Sequence, residues 1–328
     1  MKRIWKLGAV TLGVLAVLAI AGLAALLIRN RPLPPAPEHT FVKPSYDDLP
    51  KISACWIEFD HRLVPAQAMT AGITHLKIAE VTASGLVIHH PGGKILVDTG
   101  SSTHLQQEIA DYPFWSHLHF EILTDGKNGA ADTSANVLRQ AGIPPEALTA
   151  VILSHIHMDH AGGLVDLPNV PVYLSSEEID FMTRYRRLQT IQVVPAEAKA
   201  LDGRVHALHF ESKPYETFDE SADIFGDGSV VVVKLPGHTP GSIGIFVNLS
   251  PTFRVFHVGD AVNANEAIER RLPKSFVMTA TDNDASQSNA TVAKLSQLHA
   301  LDPELLMIPA HDRGAWKQAF GVGPGCIP

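Results

Sequence analysis

The chain has 328 residues, of which 45% are hydrophobic and 18% are charged, and its formal net charge at pH 7 is −8. This composition provides apolar surface for a sizeable core, and an acidic chain with scattered basic residues predicts no nucleic-acid partner. Its two cysteines are too few for a thiolate-rich structural metal site.

The first predicted element is an apolar segment, residues 7–28, that contains no charged side chain. It is long enough for one transmembrane helix, and the basic residues before it favour an amino terminus inside. A cleavable signal peptide is the alternative, because Ala-Ile-Ala at residues 19–21 is typical of a cleavage site. Residues 1–30 are therefore predicted to be a membrane anchor or a signal peptide. The rest of the chain is expected on the periplasmic side, tethered to the inner membrane or exported in soluble form.

A proline-rich segment follows at residues 31–50. Its composition predicts an extended, semi-rigid spacer with no fold of its own. Residues 51–328 are predicted to form a single domain, since their number is normal for a two-sheet sandwich. Cys55 and Cys326 lie near the two ends of that domain. They can pair in an oxidising compartment, but the sequence leaves open whether they lie within bridging distance.

The densest group of metal-binding side chains follows an apolar run at residues 149–153, which predicts a buried strand. Extended backbone directs residues two apart, such as His155 and His157, to the same side. Imidazole and carboxylate are usual zinc ligands, and a catalytic zinc keeps one position open for water or substrate. The sequence therefore predicts a metal site where this strand ends. Its candidate ligands are His155, His157, Asp159 and His160.

Three later apolar runs each end in a further candidate ligand. A histidine or aspartate in a turn, taken alone, is more often solvated or a helix cap. Together with the first cluster, and because the ends of neighbouring strands meet at one edge of a sheet, these residues indicate a shared centre. They are His238 after residues 229–235, Asp260 after residues 253–258 and His311 after residues 304–308.

The order of these motifs resembles that of the metallo-β-lactamase-fold hydrolases. His-x-His-x-Asp-His is followed by Gly-His, by Gly-Asp and by a late His, and Asp98-Thr-Gly precedes them at the end of a predicted strand. The resemblance extends from about Ile73 to Asp312. It implies an α/β fold, the family's four-layer αβ/βα sandwich, with a pair of metal ions at one edge between two facing sheets.

The resemblance also implies a role for each residue. Two zinc ions are expected, although iron or manganese also suit these ligands. A metal pair polarises a carbonyl and provides hydroxide at neutral pH, so the reaction class is metal-assisted hydrolysis. Asp98 would support the site from behind, or would simply end its strand in a turn. The implied ligands are His155, His157 and His238 for the first ion, Asp159, His160 and His311 for the second, and Asp260 between them.

Within the family, the chain most resembles the N-acyl homoserine lactonase group. The phrase His90-Pro-Gly-Gly-Lys-Ile-Leu-Val-Asp-Thr-Gly is typical of that group. Asp260 stands where true β-lactamases usually have Cys or Ser, which points away from antibiotic hydrolysis. The resemblance implies that a metal-bridging hydroxide opens a lactone or related ester, with Asp159 and Asp260 as catalytic residues and Asp159 as the proton shuttle.

Two positions depart from the lactonase pattern. Asn263 stands where the group often has a tyrosine, and an amide can donate a hydrogen bond but cannot act as an acid near neutral pH. Ser242 stands where many members have histidine. A phosphodiesterase and a glyoxalase-type thioesterase therefore remain alternatives. An inactive metal-dependent binding protein is an alternative from another class, although retention of all seven ligands argues against it.

The insertion between His160 and His238 is predicted to supply the substrate pocket, and it contains a predicted helix whose apolar residues more often belong to a core. Ser175 and Glu178 form a capping-box pattern at its start. The basic residues 184–187 can meet an anionic substrate or form a solvated helix face. Three apolar residues of this helix can contact a small-molecule lactone or ester, or can instead pack in the core. They are Phe181, Met182 and Tyr185.

Overall fold

The computed structural model describes residues 21–22, 32–38, 40–46, 48–124, 129–167 and 169–328, without the side chains of residues 119 and 121–124. The predicted anchor or signal segment, residues 1–30, lies outside the described residues except for 21 and 22. Within the described ranges, no helix combines the length and the apolar character needed to cross a membrane. The membrane anchor therefore stays a prediction.

The strands of the described chain form two sheets. They are β1 (Ser53–Pro65), β2 (Ile78–His90), β3 (Gly93–Val97), β4 (Ala150–Ile152), β5 (Val172–Leu174), β6 (Val205–Ala207), β7 (Ala222–Asp223), β8 (Val230–Lys234), β9 (Ile243–Ser250), β10 (Phe253–Gly259), β11 (Leu306–Pro309) and β12 (Cys326–Ile327). The seven-stranded sheet has the order β12-β1-β2-β3-β4-β5-β6, and the five-stranded sheet has the order β11-β10-β9-β8-β7. Strands β3 to β6 run parallel, as do β10 and β11, and the other pairs are antiparallel.

The described chain also contains helices of four or more residues. They are α1 (Ala66–Met69), α2 (Leu105–Glu108), α3 (Phe114–Thr124), α4 (Ser134–Gln140), α5 (Met158–Ala161), α6 (Ser176–Tyr185), α7 (Pro195–Ala200), α8 (Asn265–Arg270), α9 (Phe276–Thr279), α10 (Ala285–Leu301) and α11 (Arg313–Phe320). Short 3-10 turns lie at Pro145–Ala147 and Gly162–Asp166.

The layers follow from the alternation of side chains along the strands. In β1, Cys55 and Ile57 face a core shared with α4, α6 and α7, whereas Ala54 and Trp56 face a second core between the two sheets. A third core lies between the far side of the five-stranded sheet and α8 and α10. The structure is thus a mixed α/β sandwich, consistent with the predicted four-layer arrangement.

The proline-rich segment lies against the domain. Leu33 and Phe41 pack on the outer core of the five-stranded sheet, and Val42 pairs with Glu216 in an antiparallel bridge. The buried Tyr46 donates a hydrogen bond from its hydroxyl to Glu216 at 3.0 Å. The expectation of a spacer that stands free of any fold is therefore wrong for this stretch, because the apolar residues between the prolines bind it to the sandwich.

Cys55 and Cys326 form a disulfide. They lie directly opposite each other where β1 pairs with β12, so the bond joins the two ends of the domain. The sequence left this pairing open, because the two cysteines are separated by 271 positions. Only the register of β1 and β12 shows that they lie opposite each other.

Removing this disulfide is expected to lower the free energy of unfolding by about 2–4 kcal/mol, because the bond restricts the unfolded chain across a long loop. The test is equilibrium urea unfolding of the Cys55→Ser/Cys326→Ser variant. Wild type unfolded in the presence of a reductant serves as the matched control and should behave like the variant. Equal stability of the variant and the oxidised wild type would contradict the prediction.

Candidate metal centre

The seven predicted ligands lie together at one edge of the sandwich. They follow the ends of β4, β8, β10 and β11, so both sheets contribute to the centre. Their nitrogen and oxygen atoms form three groups, and within each group the atoms lie within 4.8 Å of one another. The groups are His155, His157 and His238; His155, His160 and Asp260; and Asp159, His160 and His311.

Three buried polar atoms at this centre have no hydrogen-bond partner among the described residues. They are Nε2 of His155, Nε2 of His160 and Oδ1 of Asp260. Burial of an unpaired polar atom costs free energy, and native structures seldom tolerate it without a compensating partner. These three residues form one of the groups above. Imidazole nitrogen and carboxylate oxygen are the donors that a divalent metal accepts, so the residues present fit a metal ion.

The ring nitrogens on the outer side of the imidazoles are held by neighbouring acceptors. An N–H that donates to such an acceptor leaves the lone pair of the other ring nitrogen directed at the centre. This arrangement fixes both the ring orientation and the tautomer. The pairs are His157 Nε2 with Gln192 Oε1 at 3.0 Å, His160 Nδ1 with Asp98 Oδ2 at 2.9 Å, His238 Nδ1 with Asp282 Oδ1 at 2.9 Å, and His311 Nδ1 with the carbonyl oxygen of Thr82 at 2.8 Å.

Asp98 lies directly behind the centre and is fully buried. Its Oδ1 accepts from the backbone N–H of Ser154 at 2.7 Å. Its Oδ2 lies 2.8 Å from Ser154 Oγ, 2.9 Å from His160 Nδ1 and 3.2 Å from His257 Nε2. Burial opposes ionisation, but His160 and His257 outweigh it and hold the pKa of Asp98 well below its usual value. The structure therefore places Asp98 behind the ligand loop, in contact with Ser154, His160 and His257.

The histidines of the centre differ in charge when no metal is bound. Burial, with neighbouring imidazoles, lowers the pKa of His155 well below its usual value and that of His157 to about 3. At His311 burial acts in the same direction, but Asp260 and Asp159 outweigh it and raise the pKa to about 10. Two imidazoles are thus neutral and ready to bind at neutral pH, whereas binding at His311 must displace a proton.

Glu178 joins two ligand loops, a role that the sequence did not reveal. Its Oε1 accepts from the N–H of Ile156 at 2.8 Å, and its Oε2 accepts from the N–H of Gly241 at 3.0 Å and from Thr239 Oγ1 at 2.7 Å. Burial raises its pKa to about 7. Of the predicted capping box only one half forms, since Ser175 Oγ accepts from the Glu178 N–H while the carboxyl group turns inward.

The close packing at Gly241 provides a steric test of this loop. A Cβ at Gly241 would lie 2.1 Å from the backbone nitrogen of Glu178 and 2.4 Å from Ser175 Oγ. Gly241→Ala is therefore expected to lower the free energy of unfolding by about 1–3 kcal/mol, the usual cost of overpacking. Gly323→Ala, where a Cβ meets nothing within 4 Å, is the control in the same urea-unfolding measurement. Equal effects of the two substitutions would count against this packing.

A cavity opens beside the centre, and Asp159, Asp260 and Asn263 line it. Asn263 is only 5% exposed, and its Oδ1 has no hydrogen-bond partner among the described residues. The apolar part of the wall includes Phe59, Met69, Val81, Ile191 and Met278.

Helix α6 does not supply the predicted substrate contacts. Phe181 and Met182 are 3% and 4% exposed and belong to the core beneath the seven-stranded sheet, and Tyr185 packs against that core. None of the three lines the cavity as the described residues form it. The prediction of substrate contact is corrected accordingly, because the apolar face of an amphipathic helix packs against the sheet that it covers.

Comparison with known proteins supports the family resemblance. Residues 79–311 match the model of the Metallo-beta-lactamase superfamily. A probable metallo-hydrolase of Mycobacterium tuberculosis is 26% identical over 270 residues, which cover 75% of this chain and 82% of that protein. The N-acyl homoserine lactonase AttM of Rhizobium radiobacter is 24% identical over 242 residues, which cover 72% and 84%.

A solved structure with a similar fold is an N-acyl homoserine lactone hydrolase that has the product N-hexanoyl-L-homoserine bound at its catalytic metal centre. It has a TM-score of 0.59 and 18% sequence identity, and the match covers 81% of this chain and 95% of that chain. With the family model matching most of the sandwich, the chain belongs to the metallo-beta-lactamase superfamily and is a hydrolase.

Proposed function

We propose that the protein is a dinuclear zinc hydrolase that opens a lactone of the N-acyl homoserine type or cleaves a related ester. The observation that carries this proposal is the convergence of seven imidazole and carboxylate side chains, three of which have a buried atom that forms no hydrogen bond among the described residues. The lactonase named among the relatives supports the substrate class. The donor set suits zinc best and also accommodates iron or manganese.

The three groups of ligand atoms suggest how two ions would be held. When bound, such a pair supplies a Lewis acid for the substrate carbonyl and hydroxide at neutral pH. Asp260 would lie between the two ions, because its Oδ1 lies 3.3 Å from His160 Nε2 and its Oδ2 lies 3.5 Å from His238 Nε2. The proposed ligands are His155, His157 and His238 for one ion and Asp159, His160 and His311 for the other.

Asp159 and Asn263 carry the remaining roles. The Asp159 carboxylate lines the cavity and lies 3.3 Å from His311 Nε2, so it can take the proton of the attacking water and deliver it to the leaving alkoxide. Asn263 can donate an N–H to the oxygen on which negative charge develops. It thereby replaces the tyrosine of the lactonase pattern as a donor but not as an acid.

The test is a proton-release assay of the metal-loaded protein with C4 to C12 acyl homoserine lactones, a phosphodiester, a thioester and a β-lactam. Lactone turnover is expected, and Asp159→Asn should abolish it while both metals stay bound. Turnover of the phosphodiester or thioester alone would move the substrate to that class. Bound metals with no turnover of any compound would instead support the metal-dependent binding protein.

We also propose that the domain works outside the cytoplasm, tethered through residues 1–30 or released by their cleavage. The disulfide between Cys55 and Cys326 supports this location, because such bonds persist in oxidising compartments. Fractionation of cells that express the full chain is the test. Recovery of the protein in the cytoplasm with reduced cysteines would overturn this proposal and leave the hydrolase assignment intact.

A further inference from the structure

The cavity is lined by a cationic side chain for which the described residues provide no carboxylate or carbonyl partner. The other arginines of the described chain mostly pair with carboxylates or donate to backbone carbonyls, whereas Arg62, Arg184 and Arg187 do neither within the described residues. Of these three, only Arg62 lines the cavity. The paired arginines are Arg139, Arg186, Arg254, Arg270 and Arg313, with carboxylates, and Arg204 and Arg271, with backbone carbonyls.

Arg62 is positioned by the same strands that support the metal centre. It lies opposite Val81 where β1 pairs with β2, and the next residue, Thr82, accepts a hydrogen bond from His311 through its carbonyl oxygen. Neighbouring strands are about 4.8 Å apart, so Arg62 lies one strand away from the segment that holds a proposed ligand. Arg62 is partly exposed and lines the cavity.

The guanidinium group of Arg62 favours an anionic ligand. A guanidinium group binds a carboxylate through two parallel N–H donors, and such charge-assisted bonds are stronger than neutral ones. The carboxylates of Asp159 and Asp260 are turned to the imidazoles of the centre, and Asp60 has an interaction of its own. The charge of Arg62 therefore remains available to a ligand.

The apolar side chains of the cavity indicate a second property of that ligand. Met69, Val81 and Met278 line the same cavity as Arg62 and the metal centre, and such surfaces favour an alkyl chain. Arg62 is the one lysine or arginine among the described residues that line the cavity. One guanidinium group balances one negative charge, which suits a carboxylate better than a dianionic phosphate. The exposed residues Arg184 and Arg187 of the sequence-predicted basic cluster do not line the cavity in the described structure.

We propose that the substrate is a lactone or ester whose acyl chain ends in a carboxylate, and that Arg62 binds this carboxylate while the carbonyl to be cleaved lies at the metal centre. This proposal rests on the proposed lactone or ester hydrolysis and names its substrate class. Arg62 is a specificity-determining residue in this account, since it contacts the far end of the substrate.

The experiment compares two isosteric substrates with the metal-loaded protein. One is N-glutaryl homoserine lactone, and the other has a terminal carboxamide in place of the carboxylate; succinyl and adipyl pairs cover other chain lengths. Wild type is expected to prefer the carboxylate in at least one pair by about tenfold in kcat/KM, chiefly through KM, because this contact is present in both the ground state and the transition state. Higher salt should weaken the preference.

Substitutions distinguish a specific contact with Arg62 from a general effect of charge on the preference for the carboxylate substrate. Arg62→Gln is expected to abolish the preference, Arg62→Lys to retain part of it, and Arg187→Gln, a matched change in the exposed turn after α6, to keep it. A preference that survives Arg62→Gln, or equal kcat/KM values for both members of every pair in wild type, would overturn the proposal.

A binding measurement distinguishes this failure from failure of the proposed function. Calorimetric titration of the metal-loaded wild type and the Arg62→Gln variant with the ring-opened products needs no turnover. Tighter binding of the carboxylate-ended product by wild type alone would support the role of Arg62 even if neither lactone were hydrolysed. Equal affinities, or no binding of either product, would overturn it even if simple acyl homoserine lactones were hydrolysed.

Discussion

Asp260→Asn is expected to lower the rate of hydrolysis by on the order of 10³-fold and to leave fewer than two metal ions bound per chain. Replacement of residues that only support metal ligands typically costs 10–100-fold, and Asp260 lies among the ligands themselves. The amide keeps the shape of the side chain but lacks the charge that can lie between two cations. Metal content and turnover of the best substrate are the two measurements.

Asp202→Asn provides the matched control for this substitution. Asp202 is exposed and pairs with Arg186 on the surface, so loss of its charge should change neither metal content nor rate. An Asp260→Asn protein that holds two metals and turns over at the wild-type rate would contradict the bridging role.

Asp98→Ala is expected to lower the free energy of unfolding of the metal-free protein by about 3–5 kcal/mol. The cost is that of removing one partner from a buried, charged network, because the N–H of Ser154 and the rings of His160 and His257 would lose their shared acceptor. Urea unfolding in a chelator isolates this effect from metal loss. Asp98 also has a φ of 57°, in the left-handed region that aspartate and asparagine tolerate better than alanine.

Asp98→Asn separates the charge from the backbone conformation. It should be less destabilising than Asp98→Ala, since asparagine suits the positive φ and retains one acceptor oxygen. The pKa of Asp98 is lowered in the folded protein, so its charge stabilises the fold above the ordinary carboxyl pKa, about 3.9, and that contribution is lost as pH falls. The stability gap between wild type and Asp98→Asn should therefore narrow below about pH 4. If the difference in free energy of unfolding between wild type and Asp98→Asn widened on acidification, the stabilising role of the Asp98 charge would be refuted.

The ligands could be predicted from the sequence because each follows an apolar strand and the ligand motifs occur in a recognisable order. Apart from Asp98, the residues that hold those ligands could not. Gln192 and Asp282 each contact an imidazole through one side-chain oxygen, and neither lies in a motif. His257, which contacts Asp98, is a titratable residue within an apolar strand. This was the one signal in the sequence for such a supporting residue. Such contacts depend on how distant loops meet, which local patterning does not encode.

The errors in prediction have a common physical origin. Phe181 and Met182 have the spacing of an amphipathic helix, and this spacing does not by itself distinguish a pocket wall from a core. In the structure, both side chains pack in the core beneath the seven-stranded sheet. The proline content of residues 31–50 predicted an extended spacer, but it gave no sign that Phe41 and Tyr46 would pack against the domain. In both cases the nearest available apolar surface determined the outcome.

The most direct test of the central claim is a zinc titration of the chelator-treated protein, with bound metal and hydrolysis of an acyl homoserine lactone followed together. The account predicts no turnover without metal and full turnover only as the second equivalent of zinc binds. Turnover that persists in the metal-free protein, or two bound zinc ions without any lactone hydrolysis, would contradict it.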